Sequence, residues 1–165
     1  MKKIIIATVF FLFAGITIGQ TSKTTQVEFE TEKAVLYEIL DKIDTAILVA
    51  DVSTLASYLS EDFLMCGTDP SEFWNKQQII DLWNQMLDST GFEFNYIGDR
   101  EMRLAPDGNS AIVVTQFFMP IFTPKIPWRN TYYFVKTNDN WMIHFWGTAF
   151  IPKNEDIPKL NEALD

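Results

Sequence analysis

Apolar residues recur at three- and four-residue intervals in the first half of the chain, which predicts helices. The first series forms one face of a long helix: Leu36, Ile39, Leu40, Ile43, Ile47 and Ala50. A short helix from Val52 to about Leu59 should follow, with Ser53 as its N-cap. A third helix, capped by Asn75, is predicted from a later series: Ile79, Leu82, Trp83 and Met86. Between these helices, "DFLMCG" indicates a strand and "TDPSE" a turn.

The second half changes to β-branched and aromatic runs, typical of strands. Four such segments are "FEFNYIGDREMRLA", "SAIVVTQFFMPIF", "WRNTYYFVK" and "WMIHFWGTAFI". The turn-forming stretches "PDGN", "TPKIP" and "TNDN" separate them, and connections this short predict an antiparallel meander. A weak helix at 155–164 should end the chain. Helices followed by an antiparallel sheet define an α+β fold.

The last of these strands carries apolar side chains on both alternating faces. Strict alternation places Trp141, Ile143 and Phe145 on one face. Met142, His144 and Trp146 then occupy the other face. The helices can cover one face, and a second copy of the chain most simply covers the other, which predicts a homodimer.

Residues 1–20 have the pattern of a secretory signal peptide: two lysines, then an apolar run that ends in small and polar residues. The run is shorter than a bilayer span requires, although an uncleaved anchor is the alternative. We therefore expect a secreted or periplasmic protein with no membrane segment after signal removal. Residues 21–30 are predicted to be a flexible leader, and residues 31–165 a single domain.

Charge and cysteine content exclude several partners and bonds. The formal net charge of −9 repels phosphate groups, so nucleic acid and anionic membranes are not expected partners. Cys66 is the only cysteine, which rules out an internal disulfide. Its apolar setting next to Met65 favours a packing role over a nucleophilic one.

Several stretches together resemble the SnoaL-like branch of the nuclear transport factor 2-like superfamily. They are "DVSTLASYLSEDFLM", "FWNKQQII", "RNTYYFVK" and "NWMIHF". The resemblance implies a cone-shaped, strongly curved sheet around the long N-terminal helix, a pocket between sheet and helices, and frequent homodimers. It also implies that isomerases, cyclases, dehydratases and hydrolases of apolar ring compounds are relatives, as are non-catalytic binding or association modules. Many such chains carry histidines after "W-x-I", where this sequence has Phe145 and Gly147.

Three residues are candidates for catalysis. A carboxylate in a dry cavity could act as a general base, and Asp44 on the flank of the first helix and Asp62 near the first strand are the nearest candidates. Each has a simpler interpretation, as a solvated flank residue and a junction residue respectively. His144, the only histidine, is either a pocket acid or base or an outer-face residue at a dimer contact.

Five residues are candidates for ligand contact. Met65 and Trp83 should face the space between helices and sheet, and Tyr133 and Trp146 could line a pocket, although core packing also explains these aromatics. Arg129 needs either an acidic partner or an anionic ligand group, and Arg103 competes for the same role.

The sequence has no phosphate-binding glycine loop, nucleophile elbow, calcium loop or paired zinc-ligand spacing, so we expect no cofactor and no metal. The leading hypothesis is a protein that binds a small, largely apolar ligand without catalysis. The alternatives are an isomerase, cyclase or dehydratase with a pocket carboxylate, and an association module that acts through its outer sheet face.

Overall fold

The computed structural model describes residues 15–87 and 91–163. Residues 1–14, which carry most of the predicted signal peptide, lie outside the described residues. The chain divides into two compact units, Met1–Val35 and Leu36–Asp165, and the described part of the first unit is helical. Residues 21–30, predicted to be a flexible leader, lie within the helical span Gly15–Leu48, and their role as a leader stays a prediction. The predicted boundaries at residues 20 and 30 stay predictions.

The helices are α1 (Gly15–Leu48), α2 (Val52–Ser57), α3 (Lys76–Met86) and α4 (Ile157–Glu162), the last preceded by a 3₁₀ turn at Asn154–Asp156. The predicted apolar face of α1 is buried from Leu36 to Ile47. The prediction of Asn75 as N-cap is confirmed, since its side chain accepts from the backbone N–H of Gln78 in a capping box.

The end of α1 and the cap of α2 differ from the prediction. Ala50 lies beyond α1 with a φ of 58°, so it does not continue the helical face. The cap of α2 is Asp51 and not Ser53, because the Asp51 carboxylate accepts from the Thr54 N–H at 3.0 Å. An N-cap must precede the first helical residue, and Ser53 lies inside α2.

In the described part of the chain, seven strands form one curled sheet: β1 (Leu59–Cys66), β2 (Phe73–Asn75), β3 (Asn95–Tyr96), β4 (Glu101–Leu104), β5 (Ser110–Met119), β6 (Thr123–Thr137) and β7 (Asn140–Phe150). Their order is β2-β1-β7-β6-β5-β3, and β4 also pairs with β5. The antiparallel meander β5-β6-β7 is confirmed, and β1 adds to it by pairing in parallel with β7. The α+β fold class is confirmed.

Two predicted strand boundaries were wrong. The segment "FEFNYIGDREMRLA", predicted to be one strand, is divided into β3 and β4. Gly98 lies between them in left-handed backbone geometry at φ 68°. The stretch "TPKIP" belongs to β6 and not to a turn. Its prolines fit because the β5–β6 ladder is irregular between Phe117 and Met119, where missing N–H donors are tolerated.

A β-bulge at His144 changes the face of every residue after it. Tyr133 pairs with Phe145 and Phe134 pairs with Ile143, so His144 is an extra residue on β7. One extra residue reverses the alternation, and Trp146 therefore shares the buried face of Trp141 and Ile143. The prediction that Trp146 lies on the opposite face from Ile143 was wrong for this reason.

Candidate functional site

A cavity of about 490 Å³ lies between α3, the end of α1 and the inner face of the sheet. This volume falls in the range of small-molecule sites. Nine aromatic side chains line it: Trp74, Trp83, Phe92, Phe94, Phe117, Phe122, Trp128, Trp146 and Phe150. Three methionines and three aliphatic residues complete the apolar wall: Met65, Met86, Met119, Ile47, Ile79 and Leu82. The surface offered to a ligand is thus predominantly apolar.

A few polar side chains interrupt this wall: Thr68, Glu72, Thr123, Asn130 and Thr148. The Thr123 hydroxyl accepts from the Trp128 indole N–H, which fixes that ring against the wall. Glu72 follows the "TDP" turn and precedes β2. It is the one charged residue among the described residues that line the cavity.

Asn130 and Thr148 form a polar spot at the sheet side of the cavity. They are cross-strand partners on β6 and β7, and the Thr148 hydroxyl donates to Asn130 Oδ1 at 2.8 Å. Asn130 Nδ2 donates to the Tyr132 hydroxyl at 2.9 Å. Tyr132 is fully buried, and this burial raises the pKa of its phenol above the ordinary value. Both polar side chains are therefore held in place by the sheet register.

Three of the five predicted ligand contacts line the cavity. They are Met65, Trp83 and Trp146, and the rings of the two tryptophans lie 5.7 Å apart. Arg129 and Tyr133 are exposed and do not line it, because their neighbours Asn130 and Tyr132 take the inner face of β6. A ligand-binding role for any of the five stays a prediction.

Asp62 and His144 meet outside the cavity. Their Oδ1 and Nδ1 atoms lie 3.0 Å apart, and the Ser60 hydroxyl donates to the same Asp62 oxygen at 2.8 Å. The Ser60 hydrogen bond lowers the pKa of Asp62, whose side chain is 77% exposed. The bulge at His144 positions the imidazole for this contact, so the pair has a structural explanation.

Asp44 is a half-buried carboxylate that faces charged and phenolic groups, and it does not line the cavity. Its Oδ2 accepts from the Tyr96 hydroxyl at 2.6 Å and from Arg100 Nη2 at 3.0 Å. Arg100 Nη1 also lies 2.7 Å from Asp41 Oδ1. Burial raises the pKa of Asp44 despite these partners. Sequence reasoning missed Arg100 and Tyr96, which lie more than fifty residues away along the chain.

Because the pKa of Asp44 is raised in the folded state, its contribution to the stability of the protein should depend on pH. The folded state binds this proton more tightly than the unfolded state, so the contribution of Asp44 to stability is full below its ordinary value of 3.8. The contribution is lost as pH rises through the raised folded pKa. Asp44→Asn should therefore gain stability relative to the unchanged protein across this rise, as measured by urea unfolding between about pH 3.5 and 7.

Asp51→Asn is the matched control for this pH series, because Thr54 hydrogen bonds lower the pKa of Asp51. The unchanged protein should lose stability relative to this variant as pH falls, which is the opposite direction. A stability difference between Asp44→Asn and the unchanged protein that does not vary with pH would contradict the burial explanation.

Within residues 15–87 and 91–163, no three His, Cys, Asp or Glu side chains come together as a metal site would require. In the same part of the chain, no helix combines the length and apolar character needed to cross a bilayer.

Comparison with solved structures finds the same fold at low sequence identity. An NTF2-like protein from Cytophaga hutchinsonii is 18% identical with a TM-score of 0.57, over 72% of this chain and 98% of that one. An NTF2-like protein of unknown function from Pseudomonas putida is 9% identical with a TM-score of 0.62, over 76% and 91%. A protein with a cystatin-like fold from Caulobacter vibrioides is 13% identical with a TM-score of 0.61, over 81% and 98%.

No protein with a curated description matches the sequence. The model of the SnoaL-like domain matches residues 36–150, which include the apolar face of α1, α3 and all seven strands. The match covers most of the chain and agrees with the fold of the solved relatives. The chain therefore belongs to the SnoaL-like domain family.

Proposed function

We propose that this protein binds a small, largely apolar molecule in the cavity between α3 and the sheet. A SnoaL-like domain suits small-molecule binding or isomerase-type chemistry. The observation that carries the proposal is the wall itself, in which nine aromatic rings surround about 490 Å³ and few polar groups intervene. The transfer of an apolar molecule from water to such a surface is favourable, and the polar spot at Asn130 and Thr148 can orient the bound molecule.

The arrangement of ionisable groups supports binding without turnover. A general base must lie within hydrogen-bond reach of the proton that it removes. Asp44, Asp62 and His144 do not line the cavity, and Glu72 already accepts two backbone N–H bonds through Oε2. The location outside the cytoplasm and the homodimer are retained in this proposal as predictions from the sequence, and binding does not depend on either.

Filling part of the cavity should weaken binding. Met65→Trp places a larger side chain in the wall, and we expect it to weaken binding of the neutral apolar dye N-phenyl-1-naphthylamine by about tenfold or more. Binding is measured from the rise in dye fluorescence during titration. Circular dichroism before titration verifies that the variant is folded.

Leu64→Trp provides the matched control, because Leu64 is the preceding residue on β1, is 41% exposed and does not line the cavity. The same substitution there should leave the dye affinity within about twofold, since successive strand residues point to opposite faces. Equal affinity in the unchanged protein and Met65→Trp would contradict the proposed function, and so would an equal loss in the two variants.

A further inference from the structure

The charge on the described wall of the cavity is negative only. Glu72 is the single charged residue that lines it, and the described lining includes no lysine, arginine or histidine. The whole chain has a formal net charge of −9, so the surrounding field also favours cations. An anionic ligand would find no charged partner in this wall, whereas a cationic one would find Glu72.

The Glu72 side chain is fixed in position. Its Oε2 accepts from the backbone N–H groups of Thr68 and Asp69 at 2.6 and 2.9 Å. Gly67 leaves the space that the carboxylate fills, because a Cβ at Gly67 would lie 2.1 Å from Glu72 Oε2. Oε1 has no hydrogen-bond partner in the part of the chain that the structure describes. One oxygen thus holds the loop, and the other makes no hydrogen bond that a ligand would have to replace.

An aromatic ring lies beside this carboxylate. The same Cβ position at Gly67 would be 2.7 Å from Trp74 Cζ3, so the indole ring and Glu72 Oε2 are close neighbours at one point of the wall. A carboxylate next to an indole ring suits an ammonium group, which the negative charge and the ring quadrupole both attract. Aromatic rings are abundant across the rest of the wall and suit the apolar body of the same molecule.

We propose that the cavity selects apolar molecules that carry an ammonium group, with this group placed against Glu72 and Trp74 and the apolar body among the aromatic rings. This inference rests on the proposed function and narrows it to a class of ligand. The Asn130 and Thr148 pair lies on β6 and β7 and remains available for a second polar group of the ligand.

The test compares three naphthalene compounds of similar size: 2-(1-naphthyl)ethylamine, 2-(1-naphthyl)ethanol and 3-(1-naphthyl)propionic acid. Isothermal titration at pH 7 measures each affinity for the full protein. The amine should bind about tenfold more tightly than the alcohol, and the acid more weakly than both. Glu72→Gln should remove the advantage of the amine over the alcohol, because the amide oxygen can still accept both backbone N–H bonds while the side chain no longer carries a charge.

Asp69→Asn is the matched control, since it removes a charge from the same loop at an exposed position that does not line the cavity. It should retain most of the amine preference, because exposed charges act weakly. If the alcohol binds and the amine binds no more tightly, or if Glu72→Gln keeps the preference, the ammonium inference is overturned and the proposed function stands. If none of the three compounds binds, both are overturned.

Discussion

Arg100→Met should lower the free energy of unfolding by about 3 kcal/mol, because it leaves the Asp44 carboxylate without its cation in a desolvated site. The side chains of Arg100 and Asp44 are only 15% and 21% exposed. The substitution also removes the ion pair with Asp41 and the hydrogen bond from Nη1 to the Tyr37 carbonyl at 3.0 Å. Urea unfolding at pH 7, followed by circular dichroism, measures the change.

The double variant Asp44→Asn with Arg100→Met tests the cause. A neutral amide needs no counter-ion, so the second substitution should restore part of the stability lost in Arg100→Met. Arg103→Met is the surface comparison: Arg103 is 83% exposed and pairs with Glu101 at 3.5 Å, so its loss should cost less than about 1 kcal/mol. Equal losses at Arg100 and Arg103 would show that the Asp44 site is not the source of the effect.

Gly91→Ala should lower the free energy of unfolding by about 3 kcal/mol or more, because backbone atoms occupy the position of the new methyl group. A Cβ at Gly91 would lie 1.6 Å from the Ile47 carbonyl oxygen and 2.7 Å from the carbonyl carbons of Ile47 and Leu48. Main-chain atoms at the end of α1 cannot rotate away as a flexible side chain can. The loop that carries Gly91 must therefore move off the helix, and thermal unfolding should show a markedly lower Tm.

Gly98→Ala separates this steric effect from backbone strain. Gly98 has a φ of 68° and no atom within 4 Å of its Cβ position, so alanine there should cost about 1 kcal/mol through conformation alone. Near-equal losses of stability in the two glycine variants would contradict the close approach between Gly91 and α1.

The local elements of this fold could be predicted because their signals lie within a few residues of one another. Leu36, Leu40 and Ile43 repeat at helical spacing, and they are buried on α1. The cap of α3 depends on Asn75 and Gln78, three positions apart. Connections too short for a crossover required the antiparallel pairing of β5, β6 and β7.

The candidate site could be predicted only in part, because register determines which side chains reach the cavity. Met65 was placed correctly on its wall, and so was Trp83. Alternation counted from Trp141 placed Trp146 on the wrong face, since the bulge at His144 is a property of the β6–β7 ladder. No pattern within "TDPSE" indicated that Glu72 lines the cavity, because its position there depends on the space left by Gly67 and on the neighbouring Trp74.

The sequence by itself determined the apolar face of α1 from Leu36 to Ile47, the cap of α3 at Asn75, the turns "PDGN" and "TNDN" and the excess of aromatic residues, since periodicity and local hydrogen bonding act over short separations. Only the tertiary structure decided that Asp44 pairs with Arg100 and Tyr96, that Asp62 meets His144 outside the cavity, and that Glu72 is the charged residue of the wall. These contacts join residues on different elements. Strand register and the curl of the sheet set such distances, and no local pattern encodes either of them.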